Sequence, residues 1–176
     1  MTIMAIDPGK RKSGIFIIGN KCVWYDLIDN RKLKTEKEIF NNTNDKLNFL
    51  IEVFAVDVVI IEDYAYSLRA SRQLYGAEIK GMLKNIIYKC DKKIKIIKIS
   101  IGTWKSYMRK DIFKIRNQKK RWIGPYKKAV KNNYGWDFKT EDICDAYFMI
   151  KAIMSIRKGV IKSGAAQNIY NELQGV

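Results

Sequence analysis

The pattern of apolar runs predicts an α/β protein. Short apolar runs of strand length, "TIMAID" (Thr2–Asp7) and the β-branched "VDVVIIEDY" (Val56–Tyr64), alternate with longer segments whose apolar residues recur at helical spacing. Only two prolines occur and no linker or repeat divides the chain, so residues 1–176 are expected to form a single domain with the order β-β-β-α-β-α-β-α.

The elements follow in chain order. "TIMAID" is a continuous apolar run; "GIFIIG" and "CVWYDLI" come next across the turn dipeptide Gly19-Asn20, which predicts three strands in a meander. From Thr35 to Phe54, Ile39, Phe40, Leu47, Leu50, Ile51 and Phe54 fall at helical spacings. "VDVVIIEDY" reads as a strand buried on both faces. Leu68 to Tyr88 carries a helical set including Ile79, Leu83 and Ile86, with Gly76 and Gly81 marking a close approach to a partner. "KIKIIKIS" (Lys93–Ser100) alternates like a strand with one wet face. "TEDICDAYFMIKAIMSIRKG" opens with a Thr and acids and closes with Arg157, Lys158 and Gly159, the polarity that a helix dipole favours.

Composition narrows the function. With 47% hydrophobic and 30% charged residues the chain is a globular protein rather than a disordered one. Its longest apolar stretch, Phe49 to Ile61, is broken by Glu52 and Asp57 and falls short of the ~20 residues a bilayer requires. Asp7 is reached without a charged leader and apolar core, so a cytoplasmic protein without membrane attachment is expected. Three scattered cysteines, Cys22, Cys90 and Cys144, make neither a zinc cluster nor a disulfide framework and read as core or surface thiols. The absence of histidine excludes Ser-His-Asp and Cys-His catalysis and His-based zinc sites. A net charge of +16 draws polyanions, and nucleic acid is the expected partner.

Within this basic chain, acids sit at the ends of predicted elements. Asp7 ends the first strand and Glu62 the fourth; Asp142 and Asp145, at i and i+3, share one face of the last helix in its first turn. Singly, each has an ordinary explanation: Asp before Pro-Gly is a common turn former, and acids at a helix start complement its dipole. Glu62 is sharper, because a Glu closing the unbroken run Val58–Ile61 is costly unless satisfied. Asp63 points to the opposite strand face and is expected to be solvated. Clustered carboxylates resist ionisation unless a cation compensates them, and Mg²⁺, which takes oxygen ligands and keeps waters and phosphate oxygens, is the natural cation. Two such ions about 4 Å apart hydrolyse phosphodiesters without histidine or cysteine.

Three blocks now resemble one family. "IDPGKRKSG", "VVIIEDY" and "EDICDAYFMI" are similar to the opening signature, second acidic strand and final Asp-x-x-Asp-Ala helix of RuvC-type Holliday junction resolvases. Their order runs from residue 3 to about residue 155, and "RQLYGAEIKGML" and "ISIGTWK" resemble the family segments between them. The resemblance implies an RNase H-like fold, a mixed central β-sheet flanked by α-helices. It also implies a homodimer making paired, Mg²⁺-dependent nicks in four-way or branched DNA, with Mn²⁺ able to substitute and two ions per site. Carried over residue by residue, it makes Asp7, Glu62, Asp142 and Asp145 metal ligands and Lys105 a catalytic basic residue that helps hold the scissile phosphate. Tyr64 and Tyr66 flank the position of an aromatic that stacks at the junction centre, and Arg69 is a nearby DNA contact.

Residues 105 to 131 hold eleven Lys or Arg against a single acid, Asp111. Within this segment Lys119, Lys120 and Arg121 are expected to neutralise phosphates, while Trp122 and Tyr126 pack or stack on bases. The expected activity is therefore crossover junction endonuclease; the alternatives are another RNase H-like nuclease, such as the YqgF-like RNA-processing proteins, and a non-catalytic nucleic-acid-binding module.

Overall fold

At the centre of a five-stranded sheet lies β1 (Ile3–Asp7), in a computed structural model that describes residues 1–19, 22–63, 70–90, 93–108, 131, 135, 137–138, 140–158, 169 and 171. To one side it pairs antiparallel with β2 (Lys12–Ile18), which pairs antiparallel with β3 (Val23–Asp29). To the other it pairs parallel with β4 (Val58–Asp63), and β4 pairs parallel with β5 (Lys95–Ser100). The order β3-β2-β1-β4-β5 is the mixed sheet expected of the chain, a hairpin meander joined to crossover connections.

Helices cover both faces. α1 (Glu36–Phe54) begins in a capping box: the Glu38 amide donates to Thr35 Oγ1 at 3.2 Å, and the Thr35 amide donates to the Glu38 carboxylate at 2.9 Å. It ends where Ala55 turns left-handed at φ 46°, which delays β4 to Val58 rather than the expected Val56. α1 and α2 (Ala70–Cys90) lay Leu47, Leu50, Leu83, Ile86 and Ile87 against Met4, Ile6, Ile15, Ile17, Val59 and Ile61. On the opposite face, α3 (Ile101–Tyr107) and α4 (Glu141–Arg157) pack on Ile3, Ala5, Phe16, Val58, Ile60, Ile97 and Ile99. Successive strand residues thus alternate between two cores. α4 is buried on most sides, from Ile143 to Ile156.

β5 has the expected wet face: Lys98 and Ser100 are exposed while Ile97 and Ile99 enter the α4 core, and Ile96, on the same side as Lys98, is half-buried against the α1/α2 core. One element adds to the expected order. The segment after β5 contains a helix, α3, nucleated by Ser100, whose hydroxyl accepts from the Thr103 amide at 3.2 Å. Cys144 is buried, Cys22 and Cys90 are half-buried, and no disulfide joins them. Among the described residues no helix is long and apolar enough to cross a membrane.

Candidate active site

The register of the two central strands places the acids. Ile6 pairs with Ile61, so one further step along these parallel strands sets Asp7 beside Glu62. Ala5 and Ile60 belong to the α4 core, and alternation therefore turns Asp7 and Glu62 to the α4 face as well. Asp63 faces the other way, where Lys80 of α2 holds it at 2.6 Å; it is paired rather than merely solvated.

The N-terminus of α4 is brought to the same place by a glycine. Gly14 pairs with Asp7 across the β1–β2 ladder, and a Cβ at position 14 would lie 2.1 Å from the carbonyl carbon and oxygen of Asp142 and 2.5 Å from the Ile143 amide nitrogen. Nothing larger than hydrogen fits between β2 and the first turn of α4, which carries Asp142, with Asp145 one turn further along the same face. Thr140 caps that turn, its hydroxyl accepting from the Ile143 amide.

The turn after Asp7 is equally constrained. Ser13 Oγ accepts from the Gly9 amide at 3.1 Å and donates to the Gly9 carbonyl at 3.0 Å. A side chain on Gly9 would meet the Lys12 carbonyl oxygen at 2.3 Å. The buried Asn30 donates to the Lys10 carbonyl at 3.1 Å and to Thr43 Oγ1 at 3.2 Å, tying this turn to β3 and α1. The chain that leaves Asp7 is held on three sides.

Electrostatics report the mutual proximity of the acids. Burial, then the charges of Glu62, Asp145 and Asp142, push the Asp7 carboxyl well above the usual carboxylate range, with Lys105 pulling against them. Burial likewise raises Asp145 to about 7, opposed by Lys105 and reinforced by Glu62, Asp142 and Glu141. Glu62, 5% exposed, is raised by burial and lowered by Lys105, by a hydrogen bond from Trp104 and by Lys80. Trp104 Nε1 donates to Glu62 Oε2 at 3.1 Å, and the Lys105 ammonium lies 4.9 Å from the centre of the Trp104 ring. Asp142 is bound by Lys12 Nζ at 3.0 Å.

All four predicted acids and Lys105 therefore share one neighbourhood at the C-terminal ends of β1 and β4. Among the described residues, no three His, Cys, Asp or Glu side chains converge closely enough to enclose a metal ion by themselves. Donor chemistry nevertheless fits a hard divalent cation, which needs one or two carboxylates and completes its shell with water and phosphate oxygens. Bound positive charge would relieve the mutual repulsion of these buried carboxyls. The predicted DNA contacts Tyr64, Tyr66, Arg69, Lys119, Lys120 and Arg121, with Trp122 and Tyr126, lie outside the described residues. Two neighbours of the acids, Lys12 and Trp104, are not picked out by sequence reasoning. A Lys directly before the Ser-Gly pair carries no usable signal, whereas a buried Trp needs a partner for its N–H.

This sheet order, with helices on both faces, is that of an RNase H-like α/β fold. More narrowly, the chain has the fold of the RuvC-type resolvases. It superposes on Thermus thermophilus RuvC in complex with a Holliday junction substrate with a TM-score of 0.69 at 14% identity, covering 92% of this chain and 98% of that one. A second Thermus thermophilus RuvC structure gives 0.64 at 12% identity, over 90% and 97% of the two chains. The yeast mitochondrial Holliday junction resolvase gives 0.51 at 15% identity, over 99% and 86%. No protein-family model and no curated protein sequence matches the chain.

Proposed function

We propose that this protein is a divalent-metal-dependent endonuclease that resolves four-way DNA junctions, and acts on other branched DNA, by paired nicks from a homodimer. The observation that carries the reading is the gathering of Asp7, Glu62, Asp142 and Asp145 around one end of the sheet with Lys105 beside them. The likeness to resolvases supports the choice of substrate, and the net charge of +16 suits a polyanion.

In this reading Asp7, Glu62, Asp142 and Asp145 hold Mg²⁺ (or Mn²⁺), two ions to a site. When bound, the ions supply an activated water and charge compensation at the leaving oxygen of the phosphodiester. The chain's own residues do the rest. Lys105 faces the scissile phosphate and offsets part of the acids' charge. Asp142, held by Lys12 at 3.0 Å, would serve as one of the ligands, and the Lys12 ammonium would then be placed to meet a phosphate oxygen. Tyr64 or Tyr66 stacks at the junction centre, and Arg69, Lys119, Lys120 and Arg121 track phosphates. The two-fold symmetry of a junction asks for two such sites related by a C₂ axis, with the α2 helices at the interface.

The test is cleavage of four-way, flap and linear DNA by purified protein, with and without Mg²⁺, alongside Asp7→Asn. An amide nearly isosteric with the carboxylate is a poor Mg²⁺ ligand, so cutting should fall by roughly a hundredfold or more. Junction binding in EDTA should be at least as tight as wild type, because one repulsive charge is gone. Equal cutting of linear and branched DNA would replace the junction reading with a general nuclease; near-normal cutting by Asp7→Asn would return Asp7 to a turn former.

A further inference from the structure

Trp104 is the largest fully buried side chain among the described residues, at 0% exposure, and its one polar atom is spent on Glu62. Indole nitrogen is a donor only, so this contact is directional: it fixes which carboxylate oxygen points into the protein and leaves the other for the face of the site. α3 makes the contact possible. β5 pairs Ile99 with Glu62, the chain turns at the Ser100 cap directly into α3, and the first turn of that helix carries Trp104 beneath the end of β4. The next residue, Lys105, lies with its ammonium 4.9 Å from the centre of the same ring, within cation–π range. One side chain thus touches both a proposed metal ligand and the proposed phosphate-facing cation.

We propose that Trp104 is a positioning residue: its indole N–H orients the Glu62 carboxylate toward the metal while its ring seats Lys105. The inference rests on the nuclease reading for its catalytic consequence, but its first readout does not. Partners in the outer shell of a metal ligand typically change metal affinity or activity by about 10- to 100-fold when removed. Trp104→Phe keeps an aromatic face for Lys105 and removes the N–H. Replacement of Trp104 by benzothienylalanine keeps shape and volume and exchanges N–H for sulfur, so it remains informative if the Phe variant is poorly folded.

Calorimetric titration with Mn²⁺ in the absence of DNA should show affinity about tenfold weaker in either variant than in wild type. Junction cleavage at fixed Mg²⁺ should fall by a similar factor, while the junction Kd in EDTA stays within about twofold. A benzothienylalanine variant that melts with wild type and keeps wild-type Mn²⁺ affinity overturns the proposal and leaves Trp104 as core packing. Wild type that binds Mn²⁺ in a Trp104-dependent way but cuts no junction sustains this inference and overturns the proposed substrate. Wild type that binds no Mn²⁺ overturns both.

Discussion

Replacing Gly14 by alanine tests the geometry of the site without touching any acid. The added Cβ would sit 2.1 Å from the Asp142 carbonyl group, whereas ordinary contacts begin near 3.4 Å. Both sides of the clash are backbone, so no rotamer relieves it, and the start of α4 must retreat from β2 by more than about 1 Å. Overpacking of this kind costs about 1–3 kcal/mol. In a chain of this size that is a fall in Tm of about 3–10 °C, which leaves a folded protein at 25 °C. The retreat carries Asp142 and Asp145 away from Asp7, which faces Gly14 across the ladder. A displacement of about 1 Å at a reacting centre can cost a hundredfold in rate. Single-turnover cleavage of a four-way junction should therefore slow by about two orders of magnitude, with junction affinity in EDTA nearly unchanged. A Gly14→Ala protein that melts a few degrees lower yet cuts at the wild-type rate would refute the claim that this contact sets the spacing of the acids.

Three further outcomes are expected. Asp145, raised to about 7 against an unfolded value of 3.8, binds a proton in the native state that the unfolded chain has released, so metal-free stability should fall as pH rises between those values. Asp145→Asn should lessen that fall and melt higher than wild type in EDTA above pH 7, by of the order of 2–4 kcal/mol, and parallel melting curves across pH 4–8 would contradict it. Reversing the charges of Lys119, Lys120 and Arg121 should weaken binding to all junction sequences alike and flatten the salt dependence by nearly one log unit for each phosphate no longer neutralised, whereas weakening confined to certain sequences would make the segment a base reader. Sedimentation at micromolar concentration should give twice the 20.6 kDa chain mass; a monomer that still makes symmetric paired nicks would contradict the dimer.

How far the sequence could be read follows from what each residue answers to. β1 is an apolar run, β4 a β-branched one, and α1 and α4 carry their own caps, so local chemistry is enough to find them. α3 is seven residues long and includes Gly102, Thr103 and Trp104, all weak helix formers; its only local sign is the Ser100 cap. β2 begins at Lys12, before the apolar run that predicts it, because Lys12 and Ser13 are satisfied by Asp142 and by the Gly9 turn rather than by burial of apolar surface. The acids are visible as misfits at element ends. Their partners Lys12 and Trp104 are not, since those bonds span 130 and 42 positions and exist only once α4 and α3 have docked.

The sorting of Glu62 from Asp63 shows how little the chain must specify once the sheet is formed. The two acids are adjacent on β4, and both end an apolar strand that was costly to extend with charge. Alternation sends Glu62 to the face where it acts on Asp7 and Asp145 and Lys105 acts on it, and Asp63 to the face where Lys80 neutralises it at 2.6 Å. A one-residue slip of β4 against β1 would exchange the two, turning Asp63 into the site and Glu62 toward Lys80, and would bring Ile61 to the α4 face as well. The register Ile3–Val58 through Ile6–Ile61 is protected from that slip by apolar residues entering both cores from both strands. The same isoleucines and valines that hold the sheet together therefore decide which carboxylate stands beside Asp7.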